Sequence, residues 1–314
     1  MSEKCSCGKD CITTKENIQE KISKLYPCDN CVDISIKKFT PLKKYDEYDE
    51  TNSNYYLCSC GKRPLDVVMG HILKIMIEEK IVPEKASLRR NSPIPLPSFY
   101  HSSENPQFIG EDSLILIHPD LTKEIAKKII NEVDEVKGII KGEGTIGILD
   151  KKSEINEYEL LAGCDVRSDI CRTLIPSEKI IINKKQSISH IEVAPTTEQK
   201  LVKLYNYLEN SKKYNENPEN FTALDGMCGC GALGIFLLKY GFKNVIFNDI
   251  YDKACETTKL NLEINELESE VLNVAFEDLE VEKVDLCIID GYPGVDIEKI
   301  IEKAEEIADD VLII

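Results

Sequence analysis

The chain has 314 residues, 42% hydrophobic and 30% charged, with 13 cysteines, no tryptophan and a net charge of −17. That length holds two or three domains with a sizeable core. No apolar run approaches the roughly 20 residues needed to cross a bilayer and nothing resembles a signal peptide, so a soluble, cytoplasmic protein without a membrane partner is expected.

Seven cysteines fall in the first 60 residues: Cys5, Cys7 and Cys11 as C-x-C-x3-C, Cys28 and Cys31 as C-x2-C, and Cys58 and Cys60 as C-x-C. In an intracellular chain, clustered short-spaced cysteines signify metal before disulfide. A C-x2-C knuckle closing on a distant cysteine pair is the pattern of structural zinc, so Cys28, Cys31, Cys58 and Cys60 are expected around one zinc ion. Cys5, Cys7 and Cys11 then form a three-thiolate set that needs a fourth ligand, or a second metal sharing thiolates. An iron–sulfur cluster draws on the same residue type and is the alternative. Residues 39–54 read as an exposed loop. Residues 66–82 read as an amphipathic helix carrying Val67, Met69, Ile72, Leu73, Met76 and Ile77. His71 within it is either structural or the missing ligand. The expected organisation is a Cys-rich metal-binding domain over 1–92 and a stiff linker over 93–108, marked by Pro93, Pro95, Pro97 and Pro106.

An α+β middle domain is expected over 109–195. Its strands fall at 114–117 and 138–140, a helix at 121–133, and further candidate strands at 145–149, 158–162 and 179–182. Cys164 and Cys171 read as buried small residues rather than ligands.

Residues 222–251 carry the strongest signal. A short apolar run ends at Asp225, a turn Gly226-Met227-Cys228-Gly229-Cys230-Gly231 follows, and a helical pattern begins at Leu233. Gly241 stops the helix, and Val245, Ile246 and Phe247 lead into Asn248-Asp249. Strand, glycine turn, helix, strand, acid is the first half of a doubly wound nucleotide-binding sheet. Gly229, Gly231 and Gly234 fit G-x-G-x-x-G, but the carboxylate of Asp225 would repel a pyrophosphate and suits a ligand with a cationic amino group. Alternating helices and strands continue to 311–314, so residues 196–314 are expected as a Rossmann-like parallel α/β domain.

This stretch resembles motif I of class I S-adenosylmethionine-dependent methyltransferases, D-x-G-C-G-x-G, with Met227 in place of the first glycine. The resemblance implies S-adenosylmethionine as cofactor. Asp225, Cys228, Gly229 and Gly231 would form its turn, Asp249 and Ile250 would follow the second strand, and Asp278 would stand where the family contacts adenine. The order of parts, with Glu159-Leu160-Leu161-Ala162-Gly163, then Pro195-Thr196-Thr197-Glu198-Gln199, then motif I, is similar to the archaeal and eukaryotic tRNA guanine-N1 methyltransferases and the wybutosine-pathway transferases. That likeness implies RNA, specifically tRNA, as partner and Glu198 as proton acceptor. Asp290 stands where the family has an asparagine, the family's middle-domain arginine has no counterpart, and the Cys-rich N-terminus is foreign to its pattern.

If the methyl acceptor is a nitrogen, Asp290 or Glu198 can take its proton and Tyr292 can stack on a planar acceptor. The plainer readings are a first-turn acid for Glu198 and an ordinary turn for Tyr292-Pro293. Residues 215–314 hold 7 basic and 23 acidic groups, against 16 and 14 in residues 1–90. An RNA partner would therefore dock on the N-terminal two thirds. A small-molecule cofactor precursor as acceptor, or a metal-containing binding protein with a vestigial cofactor site, are the competing functions.

Overall fold

The computed structural model describes residues 14–34, 36–46, 57–101, 108–142, 158–189, 194–291 and 297–314, together with 5, 7, 11 and 12. The strand expected at 145–149 lies outside them, as does Tyr292. Two compact units divide the chain: 1–144, 158–167 and 185–187 make the first, and 145–157, 168–184 and 188–314 the second. Among the described residues no helix is long and apolar enough to cross a membrane.

In the first unit α1 (Lys15–Ser23) precedes α2 (Leu65–Glu78), the helix read from the spacing at 66–82. A four-stranded sheet has the order β1 (Ile94–Pro97), β2 (Leu114–Ile117), β3 (Val136–Lys141), β4 (Glu159–Gly163). Pairing is antiparallel at β1/β2, parallel at β2/β3 across α3 (Lys123–Glu132), and antiparallel at β3/β4. The segment expected as a proline-rich linker thus contains a strand. Pro95 and Pro97 are tolerated because β1 is an edge, where a missing N–H leaves no ladder bond open. All four residues of β2 are buried, which fits a central strand that reads as an unbroken apolar run. Val68, Ile72 and Met76 of α2 share one core with Leu114, Leu116, Ile129, Ile139 and Leu161, so residues expected in separate domains meet in it. Arg63 and Glu135 form a buried two-pronged ion pair at 2.6 and 2.5 Å. His71 lies 3.2 Å from the Arg63 guanidinium and has no part in a thiolate group.

Strands β5 (Val166–Arg172) and β6 (Lys179–Lys185) are sheet neighbours that carry the chain across the unit boundary. The second unit continues with α4 (Ala194–Asn210), β7 (Thr222–Asp225), α5 (Ala232–Tyr240), β8 (Asn244–Asn248), α6 (Asp252–Ile264), β9 (Val271–Leu272), β10 (Val284–Ile289), α7 (Glu298–Ile307) and β11 (Ala308–Ile313). Its sheet has the order β9-β8-β7-β10-β11 with every pairing parallel. This is the Rossmann-like α/β architecture expected. The order reverses between β7 and β10, and ligands of such sheets bind outside the carboxyl ends of the strands at that point. Residues 232–237 of α5 are all buried, as an apolar helix under a sheet must be, whereas α7 is amphipathic and buries Ile300, Ala304 and Ile307.

Two asparagines of α6 face an edge strand. Asn265 accepts from Ile181 N–H (3.0 Å) and donates to Ile181 C=O (2.7 Å). Asn261 does the same with Asn183, at 2.8 and 3.1 Å. Their spacing of four residues matches the two-residue repeat of β6.

Candidate cofactor site and thiolate clusters

The turn after β7 is fixed from both sides. Gly226 N–H donates to Ile288 C=O of β10, and Cys228 N–H to Asn248 C=O of β8, each at 2.9 Å. On its far side α6 takes two carbonyls: Thr258 Oγ1 donates to Gly229 C=O (3.1 Å) and Asn261 Nδ2 to Cys230 C=O (2.9 Å). Gly229 and Gly231 have φ of +54° and +82°, the left-handed region that side chains disfavour. Gly234 serves a different end: a Cβ there would stand 2.3 Å from the Phe247 ring, so helix α5 and strand β8 could not approach as they do.

Asp225 closes β7 and is 1% exposed. Its Oδ2 accepts the N–H of Gly234 at 2.8 Å, the third residue of α5. Helix N-termini leave such donors open, and here the N-cap is Gly231, which has no side chain to serve them. Its Oδ1 is buried and has no hydrogen-bond partner among the described residues. Burial pushes the Asp225 carboxyl up to about 7; Asp290 and Asp249 add to the rise, while the Gly234 N–H and Lys200 oppose it. A buried acceptor without a partner, in a negative environment, is completed by a cationic donor.

Asp249 follows β8. Its Oδ2 accepts Gly229 N–H and its Oδ1 accepts Tyr251 N–H, both at 2.9 Å, and burial raises its pKa. Each carboxylate oxygen keeps a second lone pair for an outside hydroxyl. Beside it, Ile250 is 69% exposed, an apolar side chain held in solvent at the carboxyl end of the sheet. Asn273 donates to the carbonyls of both Asp249 and Ile250 at 2.9 Å and holds this loop. Asp278 is exposed at the end of a short helical turn after β9.

Asp290 follows β10 and pairs with Lys200 of α4 at 2.6 Å. Lys200 sits in an ordinary amphipathic helix, and nothing in its sequence context singled it out. Glu198, two residues earlier, has both oxygens turned to Arg172: Oε1 accepts the Arg172 N–H at 2.5 Å and Oε2 lies 3.7 Å from the guanidinium. Asp225, Asp249, Gly229, Cys228 and Asp290 therefore gather around one turn and the strands beside it.

In the first unit the Sγ atoms of Cys28, Cys31, Cys58 and Cys60 all lie within 4.8 Å of one another. Neighbouring pairs stand 3.5 to 3.7 Å apart. A disulfide would bring sulfurs to ~2.05 Å. Zinc–thiolate bonds of ~2.3 Å put the sulfurs of a tetrahedron about 3.8 Å apart, so the donor set fits one mononuclear ion. An iron–sulfur cluster spreads its four thiolates over two or more irons and so holds those on different irons farther apart than this. Cys5, Cys7 and Cys11 do not join this group; they gather around a fourth cysteine, Cys164, which the sequence had suggested to be a buried small residue.

No protein-family model and no curated protein matches the chain. Solved structures do. A Methanocaldococcus jannaschii tRNA m1G37 methyltransferase is 19% identical, with 63% of this chain covering 56% of that one at a TM-score of 0.39. Pyrococcus horikoshii TYW2 in complex with MeSAdo is 21% identical, with 77% covering 78% at 0.43. A Pyrococcus abyssi tRNA (uracil-54, C5)-methyltransferase in complex with S-adenosyl-L-homocysteine is 14% identical, with 77% covering 54% at 0.46. The chain spans little more than half the length of the first and the third. Its fold class rests on its own strand order.

Proposed function

We propose that this protein is an S-adenosylmethionine-dependent methyltransferase acting on RNA, with tRNA as the class of substrate. The observation that carries the first part is the buried, unpartnered Oδ1 of Asp225 beside a glycine turn and the ribose-competent carboxylate of Asp249. The ammonium group of the cofactor's methionine end would complete Asp225, and Asp249 would accept from the ribose hydroxyls. Exposed Ile250 would lie against the adenine, with Asp278 at its edge. Cys228 and Gly231 shape the turn. The same cluster of carboxylates disfavours a pyrophosphate.

The cofactor supplies an electrophilic methyl group. Transfer is an in-line displacement, so the chain's own residues orient two reactants and handle one proton. Asp290 is our candidate proton acceptor. Lys200 donates to its Oδ2 at 2.6 Å and holds the carboxylate in place at the end of β10, and the other oxygen would take the proton. Glu198, engaged with Arg172, is assigned to holding α4 against β5. Tyr292 remains the candidate for stacking on a planar acceptor.

RNA is favoured by one feature of the first unit. The Arg89 N–H donates to the Lys38 carbonyl at 2.8 Å, which brings the exposed Lys37-Lys38 and Arg89-Arg90 pairs together, with Lys38 also 3.7 Å from Asp66. A zinc ion at Cys28, Cys31, Cys58 and Cys60 would hold the fold around it. The small-molecule reading is favoured by the acidic 215–314 segment, and transfer to a cofactor precursor is its form.

Titration calorimetry with S-adenosylmethionine, followed by transfer of a labelled methyl group to cellular small RNA, tests the proposal. Absence of cofactor binding would end it and leave a metal-containing binding protein. Cofactor binding with no RNA affinity at low salt would move the acceptor to a small molecule. RNA binding that falls steeply with salt, and weakens in Arg89→Glu/Arg90→Glu, is the expected result.

A further inference from the structure

We infer that Cys5, Cys7, Cys11 and Cys164 bind a second zinc ion, independent of the one at Cys28, Cys31, Cys58 and Cys60. The inference does not depend on the methyltransferase reading. Cys164 is 153 residues from Cys11 in sequence, yet their Sγ atoms stand 3.5 Å apart. Cys5 reaches Cys164 at 3.5 Å and Cys7 reaches Cys11 at 3.4 Å, and all four sulfurs lie within 4.8 Å of one another. These are again nearly the edges of a zinc–thiolate tetrahedron and well beyond a disulfide bond.

Four thiols brought together merely as small apolar groups would need an apolar setting. Here the cluster consists of the cysteines themselves and Val166, among the described residues. By contrast Cys287, a single buried cysteine, sits in a core of Leu224, Phe276, Ile289 and Ile300. The surroundings also contain a charge suited to a metal. Four thiolates around a divalent ion carry a net charge of −2, which is costly to bury alone. Lys137 is buried, its ammonium donates to Val166 C=O at 2.7 Å, and its charge acts on Cys11 and Cys164. Its backbone carbonyl in turn accepts the Cys164 N–H at 2.9 Å, which fixes the turn between β4 and β5 where Cys164 sits.

The test is the zinc content of the full chain, purified under reducing conditions and measured by plasma mass spectrometry. Two zinc ions per chain are expected. Cys7→Ser and Cys164→Ser should each drop the content to one, and Cys60→Ser should do so independently. Cys171→Ser, which removes a buried cysteine outside both groups, should keep two. If Cys164→Ser does not fold, Cys7→Ser carries the same test from an incompletely buried position. Titration of metal-free chain with cobalt(II), read by the absorption of tetrahedral cobalt–thiolate centres, should saturate at two equivalents in the wild type and one in Cys7→Ser. One zinc per wild-type chain, two retained in Cys7→Ser and Cys164→Ser, or iron with inorganic sulfide in place of zinc would overturn the inference.

Discussion

Replacing Asp225 by asparagine separates what that carboxylate does for the fold from its proposed role toward the cofactor. Its pKa moves from an ordinary 3.8 to about 7 because it is buried. Between these values the folded chain binds more protons than the unfolded one. Stability from this group is therefore highest below pH ~4, falls as pH rises toward 7, and levels off above. Integrating that difference from pH 5 to pH 8 gives a loss of about 2–3 kcal/mol. Asparagine keeps an oxygen for the Gly234 N–H but has no charge to bury. In urea denaturation, wild type should lose about 2–3 kcal/mol relative to Asp225→Asn between pH 5 and pH 8. Cofactor binding should show the opposite preference. A cationic amino group favours ionised Asp225, so wild-type affinity should rise from pH 6 to 8, while the variant binds weakly throughout. Parallel stability profiles for the two proteins would refute the argument, because they would mean that Asp225 is already ionised and solvated in the free chain.

Asp249→Ala should weaken S-adenosylmethionine binding by about 1.5–3 kcal/mol, the scale of hydrogen bonds to a charged group, and unchanged affinity in calorimetry would remove Asp249 from the site. Gly234→Ala forces a methyl into the Phe247 ring and should cost about 1–3 kcal/mol in urea denaturation, with a wild-type midpoint counting against the close packing. Arg63→Met strands Glu135 in the first unit's interior and should cost about 3–5 kcal/mol, with part of the loss recovered in Arg63→Met/Glu135→Leu. A loss below about 1 kcal/mol would indicate that water reaches Glu135.

The glycine turn, the strand endings at Asp225 and Asp249, and the parallel order were legible because each follows from a local pattern: period, punctuation and an acid at a strand tip. Other features depend on distant partners. The nearest cysteine to Cys164 in sequence, Cys171, belongs to neither group, so only the folded β4–β5 turn reveals that Cys164 meets Cys5 and Cys11. Strand β1 was hidden by its prolines, which read as a linker until an edge position makes them acceptable. Strand β5 was hidden by polarity: Arg167, Ser168 and Asp169 are buried, and a buried polar run looks like surface in a one-dimensional pattern. Lys200 could not be singled out, because its meaning lies in Asp290, 90 residues away.

The paired asparagines of α6 have a consequence for assembly. An edge strand offers its outward N–H and C=O groups to any other extended chain and is a common route to aggregation. On β6, Ile181 and Asn183 present those groups to Asn265 and Asn261, whose amides carry the same donor–acceptor pair as a neighbouring backbone. The helix thus takes the seat of the next strand and closes that edge without adding one. The amide protons of Ile181 and Asn183 should then exchange with solvent only when α6 lets go. Since Asn261 also holds the Cys230 carbonyl, the glycine turn proposed to receive the cofactor and the seal on this sheet edge open together or not at all.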